Sequence, residues 1–451
     1  MIDTIVASDA PGETRVALLG GGQTMEVIHQ RAGHEGLVGG VYCGRVTALA
    51  PGLNAAFISI GEGPPGFLNA ADARADPDVG VKPIGAYVRE GEAVVVQVRR
   101  DAMGDKGPRL TMRPTLAGRY LVYQPGQARI NVSKHITDKA ERERLRRLVG
   151  DGQGITLRTR AARASDDDIR NELQALRTRW EGISTLSAPA QLVAPPDPVE
   201  RALSDNPGVA RVVVDTPALY AAARQHCGEG ILETWSEAEA LFEAFGVEAA
   251  LDTALDSRVA LPSGGAVIIE QTEALCAIDV DSAGHHGAGK TVAPDVNLEA
   301  AAEIGRQLRL RGIGGVVVID FITMTGDKRR RQIIDGLRAV LAGDRDAVAP
   351  SGFTDLGLVE MSRRRSRPSL GQVMGTGPHG SAHSVALAIA RHAAHQSRSA
   401  APGPITIAAD PEVAQVFDGR LRTLLAETTG RAVTVTAEPA YGRAEHHVRF
   451  G

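Results

Sequence analysis

Aromatic rings are scarce in this 451-residue chain: Phe, Trp and Tyr together make up 4% of it. A wide stacking surface for bases is excluded, so any stacking must rest on a few rings. Cysteine is nearly absent, with Cys43, Cys227 and Cys276 far apart and no CxxC pair. That excludes a disulfide framework and points to a reducing cytoplasm. No apolar run approaches the ~20 residues that span a bilayer. The N-terminus, "MIDTIVASDAPGETRVALLGGG", lacks the basic-then-apolar order of a signal peptide, so a cytoplasmic protein without membrane attachment is expected. A strong charge of either sign is also missing, the net value being −4.

What is present is a chain too long for one hydrophobic core, so several domains are expected. Its charge is uneven. Residues 119–182 hold 14 basic against 9 acidic side chains, and residues 301–371 hold 13 against 8. Two basic regions in an acidic protein suggest attraction of a polyanion; ion-paired helix faces would give the same counts.

Short strands with Gly/Pro turns fill the region from Gly36 to Gly118, which predicts a small barrel. "TDKAERERLRRLVG" predicts a helix with Thr137 as N-cap, and "DDDIRNELQALRTRWEGI" an amphipathic helix burying Ile169, Leu173, Leu176, Trp180 and Ile183. "SAPAQLVAPPDPVE", with four prolines, reads as a connector. Ser236 and Glu239 have capping-box spacing ahead of one helix, "SEAEALFEAFGVEAALDTAL". From there strands and helices alternate, predicting an α/β layer with a mostly buried sheet.

Within that layer, "ALCAIDVDSAG" ends an apolar strand in Asp279 and Asp281. Residues two apart in a strand share a face, so both acids point the same way with Val280 turned inward. "GGVVVIDFITM" buries Val316, Val317, Val318 and Ile319 and then presents Asp320. Neighbouring carboxylates repel unless a cation joins them. Mg²⁺ suits such a place, because it takes one or two carboxylates together with water and phosphate oxygens. Arg306, Arg309, Arg311 and the run Lys328–Arg331 are candidates to hold a phosphate backbone. By spacing alone an acid at a strand end also serves as a helix cap or turn. His285 and His286 in "AGHHGAG" are rival ligands without zinc spacing.

"LPSGGAVIIEQTEALCAIDVDS", "NLEAAAEIGRQLRLRGIGGVVVIDFITM" and "GLVEMSRRRSRPSL" resemble the catalytic core of the bacterial ribonuclease E/G family of endoribonucleases. The likeness runs in order along nearly the whole chain, in the shorter, ribonuclease G-like form. It implies a multidomain α/β fold. An RNase H-like subdomain (1–35 and 190–254) is interrupted by an S1-type OB barrel (36–118) and a 5′-sensor region (119–189). A DNase I-like catalytic subdomain (255–371), a linker (372–383) and a small C-terminal α/β domain (384–451) follow.

The resemblance implies Mg²⁺-dependent cleavage of single-stranded RNA to 5′-phosphate and 3′-hydroxyl ends, with Mn²⁺ as an alternative ion, in rRNA maturation and mRNA decay. Asp279 and Asp320 match the metal ligands. Asp281 stands where the family usually has Asn, exchanging an amide's two donors for negative charge. Phe57, Phe67 and Lys106 match RNA contacts; from the residues alone, Phe57 reads as barrel core. Arg158 and Thr159 match a pair that holds a 5′-monophosphate, although "AARAS" replaces the usual Gly-rich continuation. The family's CPxCxG zinc link is replaced by "GTGPHGSAH", where His379 and His383 supply no thiolate. No structural zinc and no zinc-linked tetramer are therefore expected, leaving homodimer or monomer open. An RNA-binding protein with weak or no nuclease activity, and a DNA nuclease, are the alternatives.

Overall fold

The computed structural model describes residues 2–33, 36–61, 63–75, 79–102, 106–150, 154–183, 188–228, 230–282, 292–324, 326–375 and 380–451. They form two compact units, one of residues 1–33, 209–220 and 230–451, the other of 34–208 and 221–229.

In the second unit, strands Val41–Ala50, Ala55–Ser59, Gly66–Asn69, Arg109–Thr111 and Ala93–Arg100 pair in that order. The first and last also pair with each other, closing a five-stranded barrel. Alternation fills its core with Val46, Ile58, Leu68, Val96, Val98 and Leu110. Each such side chain contributes about 1.5–3 kcal/mol by leaving water. Gly44 is required here, since a Cβ on it would lie 2.5 Å from the Ile58 side chain. Residues expected to form a connector are instead built in. Ala190–Val193 pairs with Val41–Ala50, and Asp197 caps the helix Pro198–Asp205, with Pro198 in its first turn.

A four-stranded sheet, Ile130–Val132, Ile155–Leu157, Leu121–Tyr123 and Leu116–Ala117, completes this unit with two helices. Asp166–Glu181 buries Ile169, Leu173 and Leu176, with Ser165 as N-cap. Glu172 on its inner side accepts the backbone N–H groups of Arg119, Tyr120 and Leu121. Helix Lys139–Val149 is capped by Asp138, not Thr137, because the Asp138 carboxylate reaches the Ala140 N–H at 2.9 Å.

The first unit contains three sheets. Its N-terminal sheet runs Leu232–Thr234, Arg211–Val214, Thr4–Ala10, Glu13–Gly20, Gln23–Arg31; the last three are antiparallel and the others parallel to Thr4–Ala10. The helix expected from Ser236 is two helices, Leu241–Ala244 and Val247–Leu255, separated at Gly246 with φ +65°. No capping box forms at Ser236, because residues 237–240 are bends and coil held partly by the Trp235 ring N–H on the Glu239 carbonyl. The C-terminal part surrounds Ile405–Ala409 with Val433–Ala437 and His446–Phe450 and packs helix Ala382–Gln396 on this sheet. Glu13 joins it to the N-terminal sheet. Its carboxylate, 3% exposed, takes Arg31 Nε and Arg391 Nη1, both at 2.8 Å, and His29 Nδ1 at 3.2 Å.

The third sheet has the order Arg258–Ala260, Ala266–Gln271, Leu275–Asp281, Gly315–Asp320, Leu358–Arg363, Ala347–Val348. Helices Val292–Leu310 and Asp327–Leu341 contribute Ile304, Leu308, Ile333 and Leu337 to a core shared with one face of the sheet. The expectation of a mostly buried sheet is corrected accordingly. Val317 and Ile319 are fully buried, but Val316 is 49% exposed and Val318 half-buried. The other face stays open, so even a continuous Val/Ile run obeys the period of two.

Candidate active site and nucleic-acid interface

The open face carries the acids. Among the described residues Leu275–Asp281 and Gly315–Asp320 are the one parallel pair in their sheet, and their register sets Asp279 beside Asp320. Both are exposed, whereas Ile278, Val280 and Ile319 around them are buried. Partial burial, then the negative charges of Asp320 and Asp281, push the Asp279 carboxyl above the ordinary range. The pair is thus poorly compensated by the protein, and a hard cation would relieve it.

Among the described residues no three His, Cys, Asp or Glu side chains are grouped to hold a metal. Mg²⁺ needs no such group, since it keeps several waters and takes only one or two carboxylates. The two acids fit that ion. His285, His286 and His379 lie outside the described residues; His383 sits in the helix Ala382–Gln396.

Two neighbours of the acids escaped sequence reasoning. Arg258 Nη2 lies 3.0 Å from Asp281 Oδ2. Asn297, fully buried in helix Val292–Leu310, donates to the Ile322 carbonyl at 2.9 Å and accepts the Ile322 N–H at 3.0 Å. This two-way clasp fixes the backbone just after Asp320. Asn297→Ala should speed hydrogen exchange at Ile322, since both buried bonds are lost. Unchanged exchange at Ile322 would remove Asn297 from the site.

The basic side chains divide. Arg306 is bound to Glu303 and the Thr24 carbonyl, Arg309 to Glu26, and Arg311 to Gln307. These three hold helix Val292–Leu310 to the N-terminal sheet or within itself. Their expected role on a phosphate backbone is therefore corrected, the guanidinium groups being already engaged at the helix's C-terminal end. Lys328, Arg329 and Arg331 are exposed on the helix that begins at Asp327, seven residues after Asp320.

On the barrel, Phe57 and Phe67 are directly paired across strands, with ring centres 5.9 Å apart at 71°. Both are half-buried on the outer surface, where Phe57 alternates with buried Ala56 and Ile58. The barrel-core reading of Phe57 fails because those two neighbours point inward instead. Lys106 is exposed. Arg109, unflagged by sequence, lies 5.8 Å over the Phe67 ring and is paired with it in register.

Arg158 donates to the Gly118 carbonyl at 2.8 Å and to that of Ser204. Burial lowers its pKa. The Thr159 hydroxyl is 2.9 Å from that of Ser133. Arg160 donates to the carbonyls of Pro207 and His226. Arg119, Arg158 and Arg160, but not Thr159, line a cavity of about 10 Å³, room for about one water molecule.

Comparison with known proteins bears directly on these features. A profile described as the ribonuclease E/G family matches residues 115–366, more than half of the chain. Ribonuclease G of Salmonella typhimurium (strain SL1344) is 33% identical, with 99% of each chain covered. The chain belongs to the ribonuclease E/G family. Within that family, ribonuclease G of Haemophilus influenzae is 36% identical over 81% of this chain and 80% of its own. Ribonuclease E of Synechocystis is 37% identical over 75% of this chain and 54% of its own. The family match spans the sheet that carries Asp279 and Asp320 and the segment that carries Arg158 and Thr159. Among the described residues no helix is long and apolar enough to cross a membrane.

Proposed function

We propose that this protein is a Mg²⁺-dependent endoribonuclease of the cytoplasm that hydrolyses single-stranded RNA to 5′-phosphate and 3′-hydroxyl ends, in rRNA processing and mRNA decay. The observation that carries the proposal is the register of Asp279 with Asp320 on an open sheet face, in a chain of this family. Asp279 and Asp320 would hold the ion, with Mn²⁺ as an alternative. The ion supplies charge neutralisation at a phosphoryl oxygen and a more acidic water. Asn297 fixes the backbone beside Asp320, so the reacting phosphate meets acids that are already placed.

Phe57 and Phe67 would stack bases, which any sequence allows, while Lys106 and Arg109 hold phosphates. Lys328, Arg329 and Arg331 would add charge along the RNA path. In this reading the N-terminal sheet is RNase H-like, the barrel of the S1 type, the third sheet DNase I-like, and assembly stops at a monomer or homodimer without structural zinc.

Arg158 and Thr159 would read a 5′-monophosphate, with a guanidinium fork and a hydroxyl for its oxygens. The test compares one single-stranded RNA bearing a 5′-monophosphate or a 5′-hydroxyl. Wild type should cut the monophosphate form at least about tenfold faster, the worth of one charge-assisted hydrogen bond. Thr159→Val and Arg158→Met should close that gap. An equal rate on both RNAs would remove the sensor role. RNA binding without cleavage under any divalent ion would instead identify an RNA-binding protein.

A further inference from the structure

We propose that Arg258 is a positioning residue of the active site: it holds Asp281 out of the metal's coordination and so preserves a two-carboxylate site. The inference rests on the reading of Asp279 and Asp320 as metal ligands.

Asp281 shares a face with Asp279, two residues away on one strand, and it is half-buried. Turned toward Asp279 and Asp320, it would be a third carboxylate beside the ion and a repulsive charge toward an RNA phosphate. An amide at this place would do neither. The structure shows how an acid is accommodated. Cross-strand pairing sets Arg258 opposite Ile268, Ile268 opposite Asp279 and Asp279 opposite Asp320. Directly paired residues project to the same side, so Arg258 lies in the row of the metal-binding acids.

From the edge strand the guanidinium reaches diagonally past Ile268 to Asp281, Nη2 to Oδ2 at 3.0 Å. It thus approaches Asp281 from the side away from Asp320. Among the described residues, three carboxylates and one guanidinium sum to about −2 at the strand ends, a charge that one divalent ion neutralises. Both partners are partly exposed, so the pair is worth little to folding. Its consequence is local: a fixed direction for Asp281 and a cancelled charge next to the reacting phosphate.

Mn²⁺ binding to the RNA-free protein, followed by calorimetry and electron spin resonance, separates this role from a structural one. Arg258→Gln should release Asp281, tighten Mn²⁺ binding by about tenfold or add a second ion, and slow cleavage by about tenfold. Adding Asp281→Asn to Arg258→Gln should reverse both changes, and Arg258→Lys should keep most of the wild-type behaviour. Unaltered Mn²⁺ binding in Arg258→Gln, or effects of the two substitutions that simply add, would overturn the proposal. A wild type whose Mn²⁺ binding is indifferent to Asp279→Asn and Asp320→Asn would overturn the metal reading beneath it as well.

Discussion

Asparagine in place of Asp279 or Asp320 should lower the rate of RNA cleavage by about three orders of magnitude while leaving RNA affinity nearly unchanged. The two side chains are isosteric with their replacements, and both are exposed, so folding should be spared. What is lost is half of the negative charge available to hold the ion. Metal-assisted stabilisation of a phosphoryl transition state is worth several kcal/mol, and each ~1.4 kcal/mol is tenfold in rate. RNA affinity rests elsewhere in this account, on phosphate contacts and stacking at Phe57 and Phe67. Steady-state kinetics should therefore show the loss in kcat, with KM nearly constant. Double replacement should cost little beyond either single change, because the two acids act as a unit. A single replacement that retains near-normal kcat would show that its carboxylate is not a ligand.

The largest expected effect on stability lies far from the acids in sequence, at Glu13. Its carboxylate is buried and meets Arg31, Arg391 and His29. Burial alone would raise its pKa, but His29, Arg391 and Arg31 together hold it well below the ordinary carboxylate range. A carboxylate with a depressed folded pKa contributes stability above its unfolded value of ~4.3, and that contribution disappears as the pH falls. Glu13→Ala leaves three half-buried basic groups without their shared partner. Breaking a buried charge network in this way costs about 3–5 kcal/mol. One tryptophan lies in each unit, Trp180 in the second and Trp235 in the first. In a Trp180→Phe background, urea unfolding followed by Trp235 fluorescence reports the first unit alone. The variant should unfold at markedly lower urea at pH 7, and its stability should fall less steeply than wild type below pH 5. A parallel pH dependence in the two proteins would show that Glu13 is not the group responsible.

Much of this was legible in the chain because strands with one buried face print their geometry as alternation. "ALCAIDVDS" gave away its two faces. In "GGVVVID" all four residues before the acid are apolar, so nothing in the letters distinguished exposed Val316 from buried Val317. Only the helices on a single side decide that. Charge counts misplaced Arg306, Arg309 and Arg311 for a related reason: their partners, Glu303, Gln307 and Glu26, are within the same helix or some 280 positions away. Arg258 and Asn297 were invisible because each meets its partner more than 20 residues along the chain. Thr137 and Asp138 are both good caps, and the choice between them turned on which side chain reached a free N–H.

The most direct test of the central claim is the cleavage of a circular single-stranded RNA, which offers no end to an exonuclease. Wild type with Mg²⁺ should linearise it, leaving a 5′-phosphate and a 3′-hydroxyl, and both chelation and Asp320→Asn should stop the reaction. Linearisation that persists in EDTA and leaves a 2′,3′-cyclic phosphate, or that is untouched by Asp320→Asn, would contradict a metal site built on Asp279 and Asp320.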